Sequence, residues 1–157
     1  MPTINNVFSS DGLLAGAIKG FVPREAQTEM AKAVKRAIDT TSSLIVEAGT
    51  GTGKTFAYLA PALLSDGKAI VSTGTKNLQE QLFHRDLPLV KKALGSKRKT
   101  ALLKGRSNYL CLHRVAQHSG NSTLVEKEVL GQLSEVKRWS STTKTGDMGE
   151  LKTLPED

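Results

Sequence analysis

The feature that most constrains the fold is a glycine-rich nonapeptide between two apolar runs. Its sequence is Glu47-Ala48-Gly49-Thr50-Gly51-Thr52-Gly53-Lys54-Thr55, and the flanking runs are Leu44-Ile45-Val46 and Phe56-Ala57-Tyr58-Leu59-Ala60. A β-branched run that breaks into glycines and then into a helical pattern predicts a strand, a loop and a helix in succession. This order is typical of a phosphate-binding P-loop, so we expect the chain to bind a nucleoside triphosphate.

Each residue type in this loop has a chemical property that suits phosphate binding. Glycines lack a Cβ, so successive N–H groups can turn toward phosphate oxygens. We expect Lys54 to reach the β- and γ-phosphates and Thr55 to offer its hydroxyl to Mg²⁺. The first position is Ala48 where the strict pattern has glycine, and alanine is small enough for that turn. The alternative is a purely structural turn with a solvated lysine. The predicted ATP and Mg²⁺ site comprises Ala48, Gly49, Thr50, Gly51, Thr52, Gly53, Lys54 and Thr55, with Lys54 and Thr55 as its catalytic residues.

Composition excludes several other classes of protein. A length of 157 residues with 38% hydrophobic and 24% charged residues is ordinary for one modest folded domain. The first twenty residues lack the pattern of a signal peptide, and no apolar stretch is long enough to cross a membrane. One cysteine, Cys111, cannot form an intrachain disulfide. We therefore expect a cytoplasmic protein without a membrane partner.

The net charge of +7 is concentrated in one segment. Residues 85–114, the basic block, carry nine Lys or Arg side chains against one acidic side chain. The basic residues are Arg85, Lys91, Lys92, Lys97, Arg98, Lys99, Lys104, Arg106 and Arg114. Nucleic acid rewards such a cluster through counterion release, but a solvated basic face is an equally good interpretation of charge alone.

The order of apolar patterns predicts an α/β fold. Helices are expected over residues 24–38, 54–65, 76–83, 88–94, 112–118 and 123–139, with Ser122 as the cap of the last. Strands are expected over 44–47, 69–72 and 100–103, and residues 1–20 are expected to be irregular. Pro61 is expected to kink or stop its helix early. Alternation of strands with helices favours a parallel sheet with right-handed crossovers.

Other polar residues have both a functional and a structural interpretation. The amide of Gln27 can pair with adenine N6 and N7, or it can be an ordinary polar residue on a first helical turn. Thr73 and Thr75 open the helix after the second strand, where hydroxyls suit either a bound phosphate or simple capping. Cys111, taken alone, is best explained as an inert small hydrophobe. Each histidine is best explained as a surface residue.

Four motifs in a fixed order resemble one known family. They are Arg24-Glu25-x-Gln27, Glu47–Thr55, Ser72–Leu82 and the block Leu102-Leu103-Lys104-Gly105-Arg106-Ser107-Asn108-Tyr109-Leu110-Cys111. Together they resemble the start of the DinG/XPD-type iron–sulfur DNA helicases of superfamily 2, with most similarity to the bacterial YoaA/DinG-like branch. The resemblance covers about residues 11–150, and its last block has no reason to occur in an unrelated P-loop protein.

The resemblance implies a role for each matching residue. Arg24 and Gln27 match the adenine-recognising Q-motif, and Gly51, Gly53, Lys54 and Thr55 match the Walker A loop. Thr73, Thr75 and Gln81 match motif Ia, which contacts single-stranded DNA. Cys111 matches the first of four ligands of a [4Fe–4S] cluster. Residues 1–104 would then be part of an incomplete RecA-like P-loop NTPase motor domain, and residues 105–157 the truncated, helical start of an iron–sulfur cluster domain.

The implied function is that of an N-terminal fragment of an ATP-dependent DNA helicase. By family it would unwind DNA forks or translocate on single-stranded DNA with 5′-to-3′ polarity, in DNA repair or replication. No apolar run after residue 55 ends in the Asp-Glu pair that ATP hydrolysis requires, and three cluster cysteines and a second motor domain are missing from the sequence. We therefore expect the fragment alone to be inactive. The alternatives are a non-catalytic P-loop nucleotide-binding module and a small P-loop phosphotransferase.

Overall fold

Helices account for the regular structure of residues 2–118 and 127–151, which are the residues that the computed structural model describes. The α-helices are α1 (Ile4–Phe8), α2 (Leu13–Ala17), α3 (Glu25–Asp39), α4 (Lys54–Leu64), α5 (Lys76–Gln81), α6 (Leu87–Leu94), α7 (Leu112–His118) and α8 (Lys127–Ser140). A π-helical turn, Leu82–Asp86, joins α5 to α6, and short 3₁₀ turns cover Arg106–Asn108 and Met148–Glu150. The chain divides into two compact units, Met1–Leu102 and Leu103–Asp157.

The first twenty residues correct the prediction of an irregular segment. They form α1 and α2, and Thr3 caps α1 by accepting a hydrogen bond from Asn6 N at 3.2 Å. Val7, Phe8 and Leu14 are almost completely buried and form part of the core of the first unit. These helices have five residues each, too short for a helical period to be detected in the sequence. These helices are stabilised by the burial of their apolar side chains and not by the intrinsic helix propensity of their residues.

Two longer helices confirm their predictions and frame the glycine-rich loop. Several of the core positions in α3 and α4 are occupied by alanine: Ala31, Ala57 and Ala60 are fully buried. Small side chains allow two helices to approach closely, and α3 packs against α4. Pro61 is also buried, and α4 continues past it to Leu64, so of the two predicted effects of Pro61, a kink or an early stop, the early stop is wrong.

The predicted strands do not form within the described residues. Segments 44–47, 69–72 and 100–103 have no strand pairing, and Ile45, Ile70 and Leu103 are 97%, 96% and 81% exposed. A strand requires a neighbour to satisfy its N–H and C=O groups, whereas a helix satisfies its own. The helical half of the α/β prediction is therefore observed, and the parallel sheet is not shown.

The second unit is closed by contacts between its two ends. Lys104 Nζ and Asp147 Oδ2 form an ion pair at 2.7 Å with side chains only 11% and 17% exposed. Leu110 N donates to Gly146 O at 2.8 Å, and Tyr109 pairs with Asp147 in an antiparallel bridge. Helix α7 confirms the helix predicted over 112–118. Helix α8 matches the later part of the helix predicted over 123–139, while Ser122 and residues 123–126 lie outside the described residues.

None of the helices described here combines the length and apolar character that crossing a membrane would require.

Candidate nucleotide-binding site

The glycine-rich loop adopts a conformation that depends on its glycines. Gly51 and Gly53 have φ angles of +76° and +83°, the left-handed region that side chains with a Cβ rarely adopt. Gly53 is the N-cap of α4, and its carbonyl accepts hydrogen bonds from Phe56 N and Ala57 N. The first N–H groups of a helix have no intrahelical acceptor, and α4 directs this end toward the loop. An anion such as a phosphate fits this arrangement of amides and helix dipole.

Lys54 lies across the loop that precedes it. Its Nζ donates to Ala48 O at 2.5 Å and to Gly49 O at 2.9 Å. Thr52 Oγ1 also donates to Gly49 O, at 3.0 Å. An ammonium has three N–H donors, so these two bonds are compatible with a third to a phosphate oxygen. The positive charge of Lys54 therefore lies against the first carbonyls of the loop, and its contact with the β- and γ-phosphates stays a prediction.

Two residues of α3 and its N-cap contact the same loop. Gln27 is 4% exposed, and its Nε2 donates to Gly53 O at 2.9 Å. The guanidinium of Arg24, the N-cap residue of α3, donates to Gly51 O. A Cβ at Gly53 would overlap the amide of Gln27. Arg24 and Gln27 are thus brought together with the P-loop, and both contact its backbone.

Thr55 lies at the start of α4 beside a tyrosine one turn later. Burial raises the pKa of Tyr58 above its ordinary value of 10.0, a hydrogen bond with the Thr55 side chain lowers it, and the charge of Asp86 raises it further. The side chain of Thr55 therefore lies close to the phenol of Tyr58. A threonine hydroxyl has two acceptor lone pairs, so this hydrogen bond does not prevent coordination of Mg²⁺.

The predicted DNA-contacting residues are at or near the two ends of α5. Thr75 is the N-cap of α5 and accepts from Leu78 N at 3.2 Å, so the structural interpretation of capping holds for it. Thr73 Oγ1 donates to Thr75 O at 3.3 Å. Gln81 ends the helix, and its Nε2 donates to Asp86 Oδ2 at 3.3 Å.

Sequence reasoning overlooked two buried or half-buried charged groups. Asp86 is 3% exposed and accepts from Arg85 Nε at 2.9 Å as well as from Gln81. Arg98 donates to the carbonyls of Ser65 and Gly67 beyond the end of α4, and to Ala62 O at 3.4 Å. The signal for Asp86 was present, since it is the one acidic residue in the basic block. No local signal pointed to Arg98, because its partners lie more than thirty residues away.

Cys111 is an exposed free cysteine. A [4Fe–4S] cluster requires about four thiolates, and the sequence contains one cysteine. The described residues also contain no group of three or more His, Cys, Asp or Glu side chains that could hold a metal ion. The donors of this chain by themselves therefore do not fit a cluster.

The glycine-rich loop and its surroundings lie within a region matched by a known family model. The model of the DEAD/DEAH box helicases matches residues 24–146, from the N-cap of α3 to Gly146 in the second unit. The chain belongs to the DEAD/DEAH box helicase family. Members of this family typically use ATP and Mg²⁺.

Individual helicases support this family membership. The ATP-dependent DNA helicase YoaA of Haemophilus influenzae is 59% identical over 154 residues, covering 98% of this chain and 24% of that protein. YoaA of Escherichia coli is 51% identical over 150 residues, covering 96% and 24%. The ATP-dependent helicase DinG of Mycobacterium tuberculosis is 41% identical over 160 residues, covering 88% and 24%. The chain thus spans about a quarter of the length of these curated relatives. No solved structure matches it.

Proposed function

We propose that this chain is the nucleotide-binding part of an ATP-dependent DNA helicase. The observation that carries the proposal is Lys54, held across a left-handed glycine loop at the N-terminus of α4, in a chain of the DEAD/DEAH box helicase family. The names of the YoaA and DinG relatives support ATP as the fuel and DNA as the substrate. With DNA as its substrate, the protein would act in the cytoplasm.

The roles of the site residues follow from their chemistry. Backbone amides of 49–53 and the helix dipole would hold the phosphates, Lys54 would bind the β- and γ-phosphates, and Thr55 would coordinate Mg²⁺. Mg²⁺ supplies charge neutralisation on the phosphate oxygens when it is bound. An amide has two N–H donors and an acceptor oxygen, so Gln27 could read adenine while keeping its bond to Gly53. Arg24 would keep Gly51 in place beside it.

The same proposal includes a parallel, RecA-like sheet. The proposal is supported by Ile45 and Ile70, which are almost fully exposed although they lie in segments whose composition favours strands. Apolar strands gain stability only when neighbouring strands and helices cover them, so such exposure is expected where those neighbours are missing. We expect segments 44–47, 69–72 and 100–103 to pair when the remaining strands of the motor domain are present. Amide hydrogen exchange in a longer protein would then show protection of residues 44–47 that is missing in this chain.

DNA contacts and the iron–sulfur centre remain parts of the proposal. Thr73, Thr75 and Gln81 would contact single-stranded DNA, with 5′-to-3′ polarity and a role in repair or replication following from the resemblance to DinG-type helicases. Cys111 would be one of four cluster ligands, the other three coming from outside this chain. No structural observation favours the phosphotransferase or the non-catalytic module, and a measured ATPase stimulated by DNA would separate them from a helicase.

The deciding experiment compares nucleotide binding by the unmodified chain and by Lys54→Ala. Titration with a fluorescent ATP analogue and Mg²⁺ should give saturable binding that weakens at least about tenfold in the variant, since a phosphate would lose a charge-assisted bond. Lys68→Ala, an exposed lysine beyond α4, is the matched control and should bind normally. Equal binding by Lys54→Ala and the unmodified chain would overturn the proposed site. In a longer protein, Lys54→Ala should also abolish the ATPase stimulated by single-stranded DNA.

A further inference from the structure

A groove of about 430 Å³ lies against the π-turn and α6. Its lining residues are Phe83, His84, Leu87, Pro88, Lys91 and Thr100. A volume of this size falls within the ordinary range of ligand pockets, roughly 300–1,000 Å³. The groove lies entirely within the first unit, and its lysine, Lys91, is one of the nine cations of the basic block.

An aromatic pair forms one wall of the groove. Phe83 and His84 are consecutive residues of the π-turn, and their rings meet edge to face with centroids 5.1 Å apart. Phe83 is half-buried but is not one of the described residues that make up the hydrophobic core. A π-turn is rare and is frequently found at functional sites because it redirects side chains within a helix. Here it places two rings side by side at the groove.

The charge around the groove is positive. Lys91 lines it, and Lys92 and Lys99, which adjoin lining residues in the sequence, are exposed. The one acidic residue of the basic block, Asp86, is buried and forms an ion pair with Arg85, so these two charges offset each other. Glu80 is the acidic group beside the groove, and it pairs with His84 at 3.0 Å. Single-stranded nucleic acid offers bases that stack on aromatic rings and phosphates that bind cationic side chains, and this groove has both kinds of side chain.

We propose that this groove is a binding subsite for single-stranded DNA, with a base stacked on Phe83 and a neighbouring phosphate bound by Lys91. It is separate from the residues predicted to contact DNA, Thr73, Thr75 and Gln81. The inference rests on the proposed function for its choice of DNA as the ligand. Charge complementarity and the aromatic wall together favour a nucleic acid strand over an acidic peptide, which offers no stacking partner.

The test measures binding of a fluorescein-labelled oligothymidine of about 20 nucleotides, long enough for one or two site sizes, to the whole chain by fluorescence anisotropy. Phe83→Ala should raise Kd at least about fivefold, the usual effect of losing one stacked base, and Phe83→Trp should restore it. Lys91→Gln should lower the slope of log Kd against log salt by about 0.7, the effect of one phosphate contact. Lys32→Gln, which removes one exposed charge from α3, should change neither quantity beyond a small uniform effect.

Several results would overturn the groove subsite. These are unchanged affinity and salt slope in both groove variants, equal competition by polyglutamate and oligothymidine, or no DNA binding by the unmodified chain. Circular dichroism of each variant checks folding, and Lys91→Gln, a surface change, keeps the test valid if Phe83→Ala is unstable. The proposed function is tested separately by comparing nucleotide binding of the unmodified chain and Lys54→Ala. If Lys54→Ala weakens ATP binding but the Phe83 and Lys91 variants do not change DNA binding, only the subsite is refuted.

Discussion

Gln27 Nε2 donates a hydrogen bond to Gly53 O at 2.9 Å and thereby joins α3 to the residue that begins α4. The two residues are 26 positions apart in the chain. Gln27 is almost fully buried, so the bond forms away from competing water. The residue predicted to recognise the adenine base therefore also contacts the backbone of the glycine-rich loop. A change at either partner should affect the other.

Substitution of Gly53 tests this contact. Gly53→Ala should lower the free energy of unfolding by about 2 kcal/mol, because alanine is strained at a φ of +83° and its Cβ displaces the Gln27 amide. Thermal or denaturant unfolding of the chain measures the change. Gly16→Ala is the matched control, since it lies in α2 with no atom within 4 Å of the added Cβ. It should be neutral or stabilising by up to about 1 kcal/mol. Equal effects at both glycines would contradict the proposed packing.

Arg98 should stabilise the far end of α4. Its guanidinium donates to the carbonyls of Ser65 and Gly67, groups that otherwise have no helical partner. Arg98→Ala should cost about 1.5–3 kcal/mol in denaturant unfolding, the range for hydrogen bonds to a charged group. Arg98→Lys should recover little, because one ammonium cannot reproduce the two-pronged geometry. Lys97→Ala, at an exposed neighbour, should change stability by less than about 0.5 kcal/mol. A full rescue by lysine would show that charge alone matters.

The ion pair that closes the second unit should be energetically coupled. A double-mutant cycle with Lys104→Met and Asp147→Asn should give a coupling of about 1 kcal/mol or more, since both side chains are largely shielded from water. The same cycle on Lys35 and Asp39, an exposed i,i+4 pair at 2.6 Å, should give about 0.3–0.5 kcal/mol. Coupling that is no larger at Lys104 and Asp147 would mean that burial of the pair contributes nothing.

Tyr58 should make the chain less stable in alkali. Burial raises its folded-state pKa above 10.0, the unfolded value, so the folded state keeps its proton when the unfolded state has lost it. The stabilisation is fully present below the unfolded pKa and is lost as pH rises through the folded pKa. Unfolding free energies between about pH 8 and 11 should fall more steeply for the unmodified chain than for Tyr58→Phe. Parallel curves for the two proteins would refute this linkage.

Short-range physics explains what could be predicted. Helices α3, α4, α6 and α7 were anticipated within a few residues, because a helix satisfies its hydrogen bonds within its own segment. The left-handed loop was also predictable, since glycine is the residue type that adopts positive φ at little cost. The strands were predicted from equally strong apolar runs, yet the described residues contain no sheet, because a strand depends on partners elsewhere in a fold.

The sequence by itself determined the glycine-rich motif, the helix that follows it and the basic block, because residue types and their spacing carry that information. Only the tertiary structure decided that Gln27 and Arg24 brace the loop, that Asp86 is buried, and that Arg98 binds the end of α4. These contacts join residues far apart in the chain. Such pairings depend on how helices pack around a shared core, and no local pattern of residues encodes that packing.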